Sequence, residues 1–298
     1  MSAQTAIYNL SSYLSQQMRR CIVEEKRSTL RQKIEYTCAV HLLQLARRAI
    51  SRLYARGITS RPEQASALVC KWLRKGDIYV DVGASIGKTS CYASYRVGKT
   101  GKVFSFEPLP SAAMELRTIV SAMKLTNVGV EQAAVAAESG SRIIYEREHQ
   151  PASSLFESFN ANLSPVLACH QCTVTTLNDF VQTRNLNRVD LIKIDVEGAE
   201  FDVLRGATEL INPTRRTIQS SPVLIIEINA REERATLLDY TISEMIDWLS
   251  NREYTCTIPR SREFVAIKDE RQLRNEDMDM VCWVPGTRPG LAAVTRNL

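Results

Sequence analysis

The stretch YVDVGASIGKTS, residues 79–90, ends a run of apolar residues with an acid, two glycines and a lysine. An apolar run that leads into a glycine turn is typical of a buried parallel strand followed by a helix. In an open sheet of this kind, ligands bind outside the carboxyl ends of the strands. The function of the chain therefore depends on what this turn can hold.

The turn fails both common phosphate-binding patterns. A P-loop ending in Gly87-Lys88-Thr89 would need a glycine at position 82, where Val82 stands. A dinucleotide fingerprint that starts at Gly83 would need glycines at 85 and 88, and the chain has Ser85 and Lys88 there. These mismatches argue against a nucleoside triphosphate and against a dinucleotide.

Two acids follow neighbouring predicted strands and point to a different ligand. Asp81 directly precedes the glycine turn, where its charge would repel a polyphosphate by roughly 1 to 4 kcal/mol and attract a cation equally. Glu107 ends the next strand, 20 residues after Gly87, from where an acid can accept hydrogen bonds from a ribose diol. A nucleoside with a cationic, phosphate-free tail fits both, and S-adenosylmethionine is such a ligand. The alternative is a glycine turn without a ligand.

Six segments of the chain resemble the FkbM family of S-adenosylmethionine-dependent methyltransferases. The resemblance covers about residues 76–284, and its most specific element is DVEGAE. The family usually has Asn where this chain has Ser85 and an aromatic residue where it has Lys88. In chain order the segments are VDVGASIGKTS, GKVFSFEPLPSA, AAVAAESG, PASSL, TTLNDF and VDLIKIDVEGAEFDVLRGATELI.

The resemblance implies a fold, a reaction and a set of cofactor contacts. The fold would be the α/β, Rossmann-like class I methyltransferase fold, with a seven-stranded, mostly parallel sheet whose last strand is antiparallel. The reaction would be O-methylation of a hydroxyl group. The expected cofactor-binding residues are Asp81, Gly83, Ala84, Ser85, Gly87, Glu107, Pro108 and Ala134.

The candidate catalytic residues are Asp195, Glu197 and Glu200. Asp195 ends the fourth strand, beside the first in the implied strand order, so we expect it to serve as a base or as an orienting carboxylate. Glu200 starts a helix, where the helix dipole favours an acid without any catalytic role. Asp195 could also hold a divalent cation together with Glu227 and Asn229, but we expect no metal.

Further candidates lie in the body of the chain. Ser153 and Ser154 match the SSL element of the family and are expected to border the acceptor pocket, with a solvated loop as the alternative. His149 and His170 are alternative bases. In CHQC, residues 169–172, the two cysteines are expected to enter a strand as small apolar side chains, because no second pair of ligands for zinc lies nearby in the sequence.

The periodicity predicts an N-terminal helical part followed by alternating strands and helices. We expect residues 1–75 to form a helical extension, with a last helix over about 63–74. The resemblance implies that residues 76–298 form the methyltransferase domain. Strands are predicted at 78–82, 102–107, 128–135, 189–195 and 222–228, an inserted strand at 141–148, and further antiparallel strands in YTCTI, EFVAI and MVCWVP. Helices are predicted near 87–97, 111–124, 177–184, 200–206 and 241–250.

Charge and cysteine content bear on location and partners. Residues 1–76 contain 14 Lys or Arg against 4 Asp or Glu, which is typical of a solvated helical face or of an anionic partner. The first 23 residues lack acids, as transit peptides do, but show no cleavage signal. Eight scattered cysteines and the absence of a long apolar run favour a soluble, cytoplasmic protein with reduced thiols. We leave organelle targeting open.

We therefore expect an S-adenosylmethionine-dependent enzyme that methylates a hydroxyl group of a sugar, a glycan or a small metabolite. The basic N-terminal part favours one alternative, ribose methylation of RNA. A cofactor-binding scaffold without catalysis is the other alternative. The sequence does not indicate the oligomeric state.

Overall fold

The computed structural model describes the chain from residue 64 onward, with gaps. The described residues are 64–148, 152–162, 164–212, 221–229, 237–260, 263–267, 273 and 277–287. Residues outside the described ranges include residues 1–63 of the predicted extension and His149; the side chain of Asn229 is also not described.

Helices and strands alternate along much of the described chain, as the sequence predicts, and within it only strands are present over 128–175 and 255–283. The helices are α1 (Gln64–Trp72), α2 (Lys88–Val97), α3 (Pro110–Ala122), α4 (Leu177–Thr183), α5 (Glu200–Arg205) and α6 (Ile242–Ser250). The strands are β1 (Ile78–Val82), β2 (Lys102–Phe106), β3 (Val128–Glu131), β4 (Ala134–Val135), β5 (Gly140–Arg147), β6 (Val166–Thr175), β7 (Leu191–Ile194), β8 (Val223–Asn229), β9 (Thr255–Arg260), β10 (Glu263–Ala266) and β11 (Asp277–Trp283).

The main sheet has the strand order β10-β9-β11-β8-β7-β1-β2-β3. The strands from β8 to β3 in this order pair in parallel, while β11 is antiparallel to both β8 and β9, and β10 is antiparallel to β9. This arrangement confirms the predicted α/β class with a mostly parallel sheet. The predicted number of seven strands is wrong, because β10 pairs with β9 and extends the sheet to eight strands among the described residues.

Helices cover both faces of this sheet. On one face, alternate residues of β1, β7 and β8, such as Val80, Ile192 and Ile226, pack with residues of α4, α5 and α6. On the other face, Tyr79 packs with residues of α1 and α2. Continuous apolar strands such as LIKI and VLII thus bury both faces, as parallel strands between helix layers do.

Helix α1 precedes the predicted domain boundary at residue 75 in the chain, and it packs against the main sheet. Trp72 contacts Phe264 of β10 and Trp283 of β11, with ring centroids 5.6 and 5.5 Å apart. Val69 and Leu73 are completely buried in the same cluster. The boundary itself stays a prediction.

A second, three-stranded sheet has the order β4-β6-β5. The predicted strand over 128–135 is two strands in the structure, because β3 joins the main sheet and β4 pairs with β6. The inserted strand predicted at 141–148 is β5, which pairs with β6 over its whole length. The loop that joins β5 to β6 reaches back to the main sheet and contributes to the candidate site.

None of the helices in the described part of the chain is long and apolar enough to cross a membrane.

Candidate functional site

The glycine turn after β1 is shaped by close contact with the chain that follows β7. Gly83 has φ +80°, and a Cβ built on it would lie 1.7 Å from the carbonyl oxygen of Asp195. Gly87 has φ +83°, and a Cβ there would lie 2.0 Å from the side chain of Leu116. Glycine is therefore required at both positions, for backbone conformation and for space.

The carboxylate of Glu107 joins this turn to the turn after β2. Its two oxygens accept hydrogen bonds from the backbone N–H groups of Ser85, at 2.8 Å, and Leu109, at 2.9 Å. Burial is the main influence that raises the pKa of Glu107 to about 7, against those two hydrogen bonds. Each oxygen keeps a further lone pair, so ribose contact remains a prediction that this geometry permits.

Asp81 lies beneath the turn rather than inside it. Its side chain is fully buried and accepts a 2.5 Å hydrogen bond from the Ser90 hydroxyl, which in turn contacts Ser105. Burial raises the pKa of Asp81, and the ammonium group of Lys193, its register partner on β7, opposes that shift. The predicted contact of Asp81 with a cofactor stays a prediction, and its hydrogen bond with Ser90 joins β1 to α2, the helix that follows the turn.

Asp195 stands directly after β7, beside the tip of β1. Its backbone N–H donates to the carbonyl of Val82 at 3.0 Å. Its side chain is 33% exposed, and one oxygen accepts a 2.6 Å hydrogen bond from the buried ammonium group of Lys193. Although burial favours the neutral acid, the charge of Lys193 and its hydrogen bond keep the pKa of Asp195 below its ordinary value. Asp195 is thus an ionised carboxylate at the sheet edge.

The loop between β5 and β6 holds Glu197 in place. Glu197 has φ +54°, its side chain accepts a 2.9 Å hydrogen bond from the Asn160 amide, and its carbonyl accepts one from the Ser154 hydroxyl at 2.6 Å. A Cβ on Gly198 would lie 2.8 Å from the ring of Phe159. Ser154 thus contacts the backbone of Glu197, and its expected position at the border of the acceptor pocket stays a prediction.

Glu200 supports the turn from inside. Its carboxyl group is buried and accepts hydrogen bonds from the N–H groups of Val196 and Gly198 and from the Tyr240 hydroxyl. Burial raises the pKa of Glu200. These contacts explain Glu200 as a structural residue of the turn, and a catalytic role for it stays a prediction.

Three carboxyl groups gather at this edge of the sheet. Side-chain atoms of Asp195, Glu197 and Glu227 lie within 4.8 Å of one another. Burial, and then the negative charges of Asp195 and Glu197, raise the pKa of Glu227 well above its ordinary value. Oxygen ligands of this kind can hold a divalent cation, but Lys193 already supplies a positive charge to Asp195. The expectation that no metal is used stays a prediction.

The other predicted residues lie around this centre. Ala84 is buried in the turn, Pro108 is half-buried next to Glu107, and Ala134 is buried in β4 of the small sheet. Ser153 accepts a hydrogen bond from the N–H of Arg147. A cofactor contact of Ala134 or Pro108 stays a prediction.

His170 and the CHQC segment lie on β6. The His170 ring nitrogen is 2.6 Å from a carboxylate oxygen of Glu146 on the neighbouring strand. Cys172 is buried against the small core, whereas Cys169 is exposed, so the two thiols lie on opposite faces of the strand. A single metal ion therefore cannot bind both thiols. The structure agrees with the interpretation of Cys169 and Cys172 as residues of a strand.

Sequence reasoning missed Lys193, Asn160 and Tyr240. Lys193 did carry a signal, because it is the one charge inside the apolar run LIKI and a buried lysine requires a partner. Asn160 and Tyr240 are far from Glu197 and Glu200 along the chain, and no local pattern connects them.

Comparisons with known proteins assign this chain to a family. The model of the methyltransferase FkbM domain matches residues 81–256. The chain is 29% identical over 142 residues to Methyltransferase 1 of Beauveria bassiana, covering 43% of this chain and 57% of that protein. It is 26% identical over 190 residues to the AMB antimetabolite synthetase AmbE of Pseudomonas aeruginosa, covering 53% of this chain and 9% of that protein. The chain thus spans little more than half of one relative and a small part of the other.

The structure is also similar to solved methyltransferases. One is an S-adenosylmethionine-dependent O-methyltransferase of Thermotoga maritima, with 11% identity and a TM-score of 0.42, covering 76% of this chain and 66% of that one. The family match spans more than half of the 298 residues. The chain therefore belongs to the methyltransferase FkbM family.

Proposed function

We propose that this protein is an enzyme that uses S-adenosylmethionine to transfer a methyl group to a hydroxyl oxygen of a sugar, a glycan or a small metabolite. The supporting observation is the state of Asp195, a partly exposed carboxylate that Lys193 keeps ionised next to the glycine turn. An ionised carboxylate can accept the proton of a hydroxyl group, which is the one proton transfer that O-methylation needs.

The cofactor supplies a methyl group bound to a positively charged sulfur. The residues of the chain then have three tasks, which are to bind the cofactor, to orient the acceptor and to accept the acceptor's proton. Glu107 is proposed to accept hydrogen bonds from the ribose hydroxyls, while Gly83 and Gly87 let the backbone approach the rest of the ligand. Asp195 would accept the proton of the acceptor's hydroxyl group, and the oxygen of that hydroxyl group would take the methyl group that the cofactor supplies.

The proposal is tested by measuring label transfer from methyl-labelled S-adenosylmethionine. The acceptors are monosaccharides, oligosaccharides, small hydroxylated metabolites and RNA transcripts, each compared with Asp195→Asn and with the exposed control Lys102→Gln. We expect label in a hydroxylated small molecule or glycan, stable to alkali as an ether is. Asp195→Asn should lower the rate about 100-fold or more. Label confined to RNA, to nitrogen or to a carboxyl ester would contradict the proposal.

A cofactor-binding scaffold is separated from an enzyme by calorimetry. Binding of S-adenosylhomocysteine together with no turnover on any of these acceptors would favour the scaffold. We also propose a cytoplasmic location, because the six cysteines within the described residues are all free and four of them are buried as thiols.

A further inference from the structure

A cleft of about 670 Å³ opens between the small sheet and the loop that supports Glu197. Its walls combine aromatic and aliphatic side chains with one arginine. The lining residues are Tyr145, Arg147, Leu155, Phe156, Glu157, Ser158, Ala161, Pro165 and Val166. No predicted cofactor or catalytic residue is among them.

The guanidinium group of Arg147 is the unusual feature of this cleft. The residue is only 2% exposed, and its terminal nitrogens donate to the carbonyl oxygens of Ser164, at 2.7 Å, and Glu157. Its Nε is buried and has no hydrogen-bond partner among the residues that the structure describes. Among the ion pairs of the described residues, none involves Arg147.

Within the described part of the chain, this arrangement leaves a buried positive charge without a compensating acid. Carbonyl groups satisfy hydrogen-bond donors but carry no net charge, and a buried charge is normally paired. The nearest acidic residue of the cleft, Glu157, is exposed and offers Arg147 its backbone oxygen. An anion in the cleft would supply the missing negative charge, and the planar guanidinium group suits a carboxylate or a phosphate.

The cleft is also connected to the reaction centre. The loop that forms one wall of the cleft donates from Ser154 and Asn160 to Glu197, two residues after Asp195. Phe159 of the same loop packs on Gly198. A molecule bound in the cleft would therefore contact the segment that shapes the acceptor side of the site.

We infer that this cleft binds an acidic group, a carboxylate or a phosphate, on the non-reacting part of the methyl acceptor, with Arg147 as the anion-binding residue. This inference rests on the proposed function and narrows its substrate class to acidic hydroxylated molecules. Tyr145 and Phe156 would provide the apolar contacts to the rest of the acceptor.

The test is a thermal-unfolding titration of the full chain with inorganic phosphate and, separately, with acetate, each against chloride at equal ionic strength. Four proteins are compared, namely the wild type, Arg147→Gln, Ala161→Trp and Arg142→Gln. Ala161→Trp fills the cleft and leaves Arg147 in place. Arg142→Gln is the matched control, because Arg142 lies on the same strand but pairs with Asp202 outside the cleft.

We expect a saturable rise in Tm of about 2 °C for the wild type and for Arg142→Gln with at least one of the two anions. The anion that gives the rise identifies the acidic group. The rise should be absent in Ala161→Trp and in Arg147→Gln. If Arg147→Gln does not fold, the comparison of Ala161→Trp with the wild type still tests the inference. An equal, saturable response in Ala161→Trp, or none in the wild type, would overturn the inference.

A parallel titration with S-adenosylhomocysteine separates this inference from the proposed function. All folded variants should respond to S-adenosylhomocysteine, since none removes a predicted cofactor residue. If the wild type responds to S-adenosylhomocysteine but to neither anion, only the inference about the cleft is contradicted. An absent S-adenosylhomocysteine response in the wild type contradicts the proposed function.

Discussion

The α-carbon of Gly83 faces the carbonyl oxygen of Asp195 so closely that a side chain of even one carbon would lie 1.7 Å from that oxygen. The turn that is proposed to hold the cofactor and the strand tip that is proposed to carry the base are thus in backbone contact. Any change that separates them should disturb binding and catalysis together.

Replacing Gly83 with alanine should destabilise the protein by at least about 3 kcal/mol, because the new Cβ meets the backbone and the residue has φ +80°. Gly286→Ala is the control, since Gly286 has the same φ and open space around it, and it should cost only about 1 kcal/mol. Urea unfolding measures both. Equal losses for the two variants would show that the contact with Asp195 is not the cause.

Glu107 should make stability and cofactor affinity depend on pH in opposite directions. Its pKa is raised from 4.5 to about 7, so the folded protein binds this proton more tightly than the unfolded chain does. The resulting stability is complete below pH 4.5 and is lost as the pH rises to 7, by about 3 kcal/mol relative to Glu107→Gln. Urea unfolding of both proteins between pH 4.5 and 8 measures the difference.

The same carboxylate should bind ribose only when ionised. Affinity for S-adenosylhomocysteine should therefore rise from pH 6 to pH 8 in the wild type and stay flat in Glu107→Gln. At pH 8, Glu107→Ala should weaken binding more than tenfold by calorimetry. Unchanged affinity in Glu107→Ala would refute the ribose contact.

Lys193 should be essential to stability because it is buried between two carboxylates. Lys193→Met leaves Asp81 and Asp195 without their common positive charge, and we expect a loss of about 3 kcal/mol or more in the free energy of unfolding. The double variant Lys193→Met with Asp195→Asn should recover part of this loss. A strictly additive double variant would show that the two side chains do not interact.

Lys88 should have little effect on cofactor binding, because the turn lacks the geometry of a phosphate loop. Lys88→Ala is expected to keep the affinity for S-adenosylhomocysteine within about threefold, and ATP and NAD should give no thermal shift. Loss of binding in this variant, or a clear shift with ATP, would favour a nucleotide-binding turn.

Metal removal should leave methyl transfer unchanged. Although Asp195, Glu197 and Glu227 lie close together, Lys193 already neutralises Asp195 at 2.6 Å. We expect the initial rate after treatment with EDTA and desalting to match that of the untreated enzyme. Loss of activity that Mg²⁺ or Ca²⁺ restores would assign these carboxylates to a metal site.

Much of the fold was predictable because the central strands of the main sheet are almost fully buried. A run such as VLIIEI allows few alternatives, and the glycine turn marks where β1 ends. The split between β3 and β4 was not predictable, since VGVEQAAV reads as one strand and only pairing with β6 separates Ala134 from it.

The sequence located residues of the candidate site only where they lie at or directly after the end of a strand. Asp195 and Glu107 could be located because parallel strands place their carboxyl ends together. Arg147 could not, because a charged residue in SRIIYERE is typical of a solvated strand, and its burial arises from a loop that folds over it. Asp81 was placed at the correct turn, but its burial beside Lys193 depends on the pairing of β1 with β7.

The packing of α1 has a practical consequence for anyone who prepares this enzyme. A recombinant fragment that starts at residue 76 would remove Trp72 and uncover the rings of Phe264 and Trp283. Freshly exposed aromatic surface at the edge of a sheet promotes self-association. Truncated versions should therefore retain Gln64 and everything after it, and a shorter product that precipitates would say nothing about catalysis.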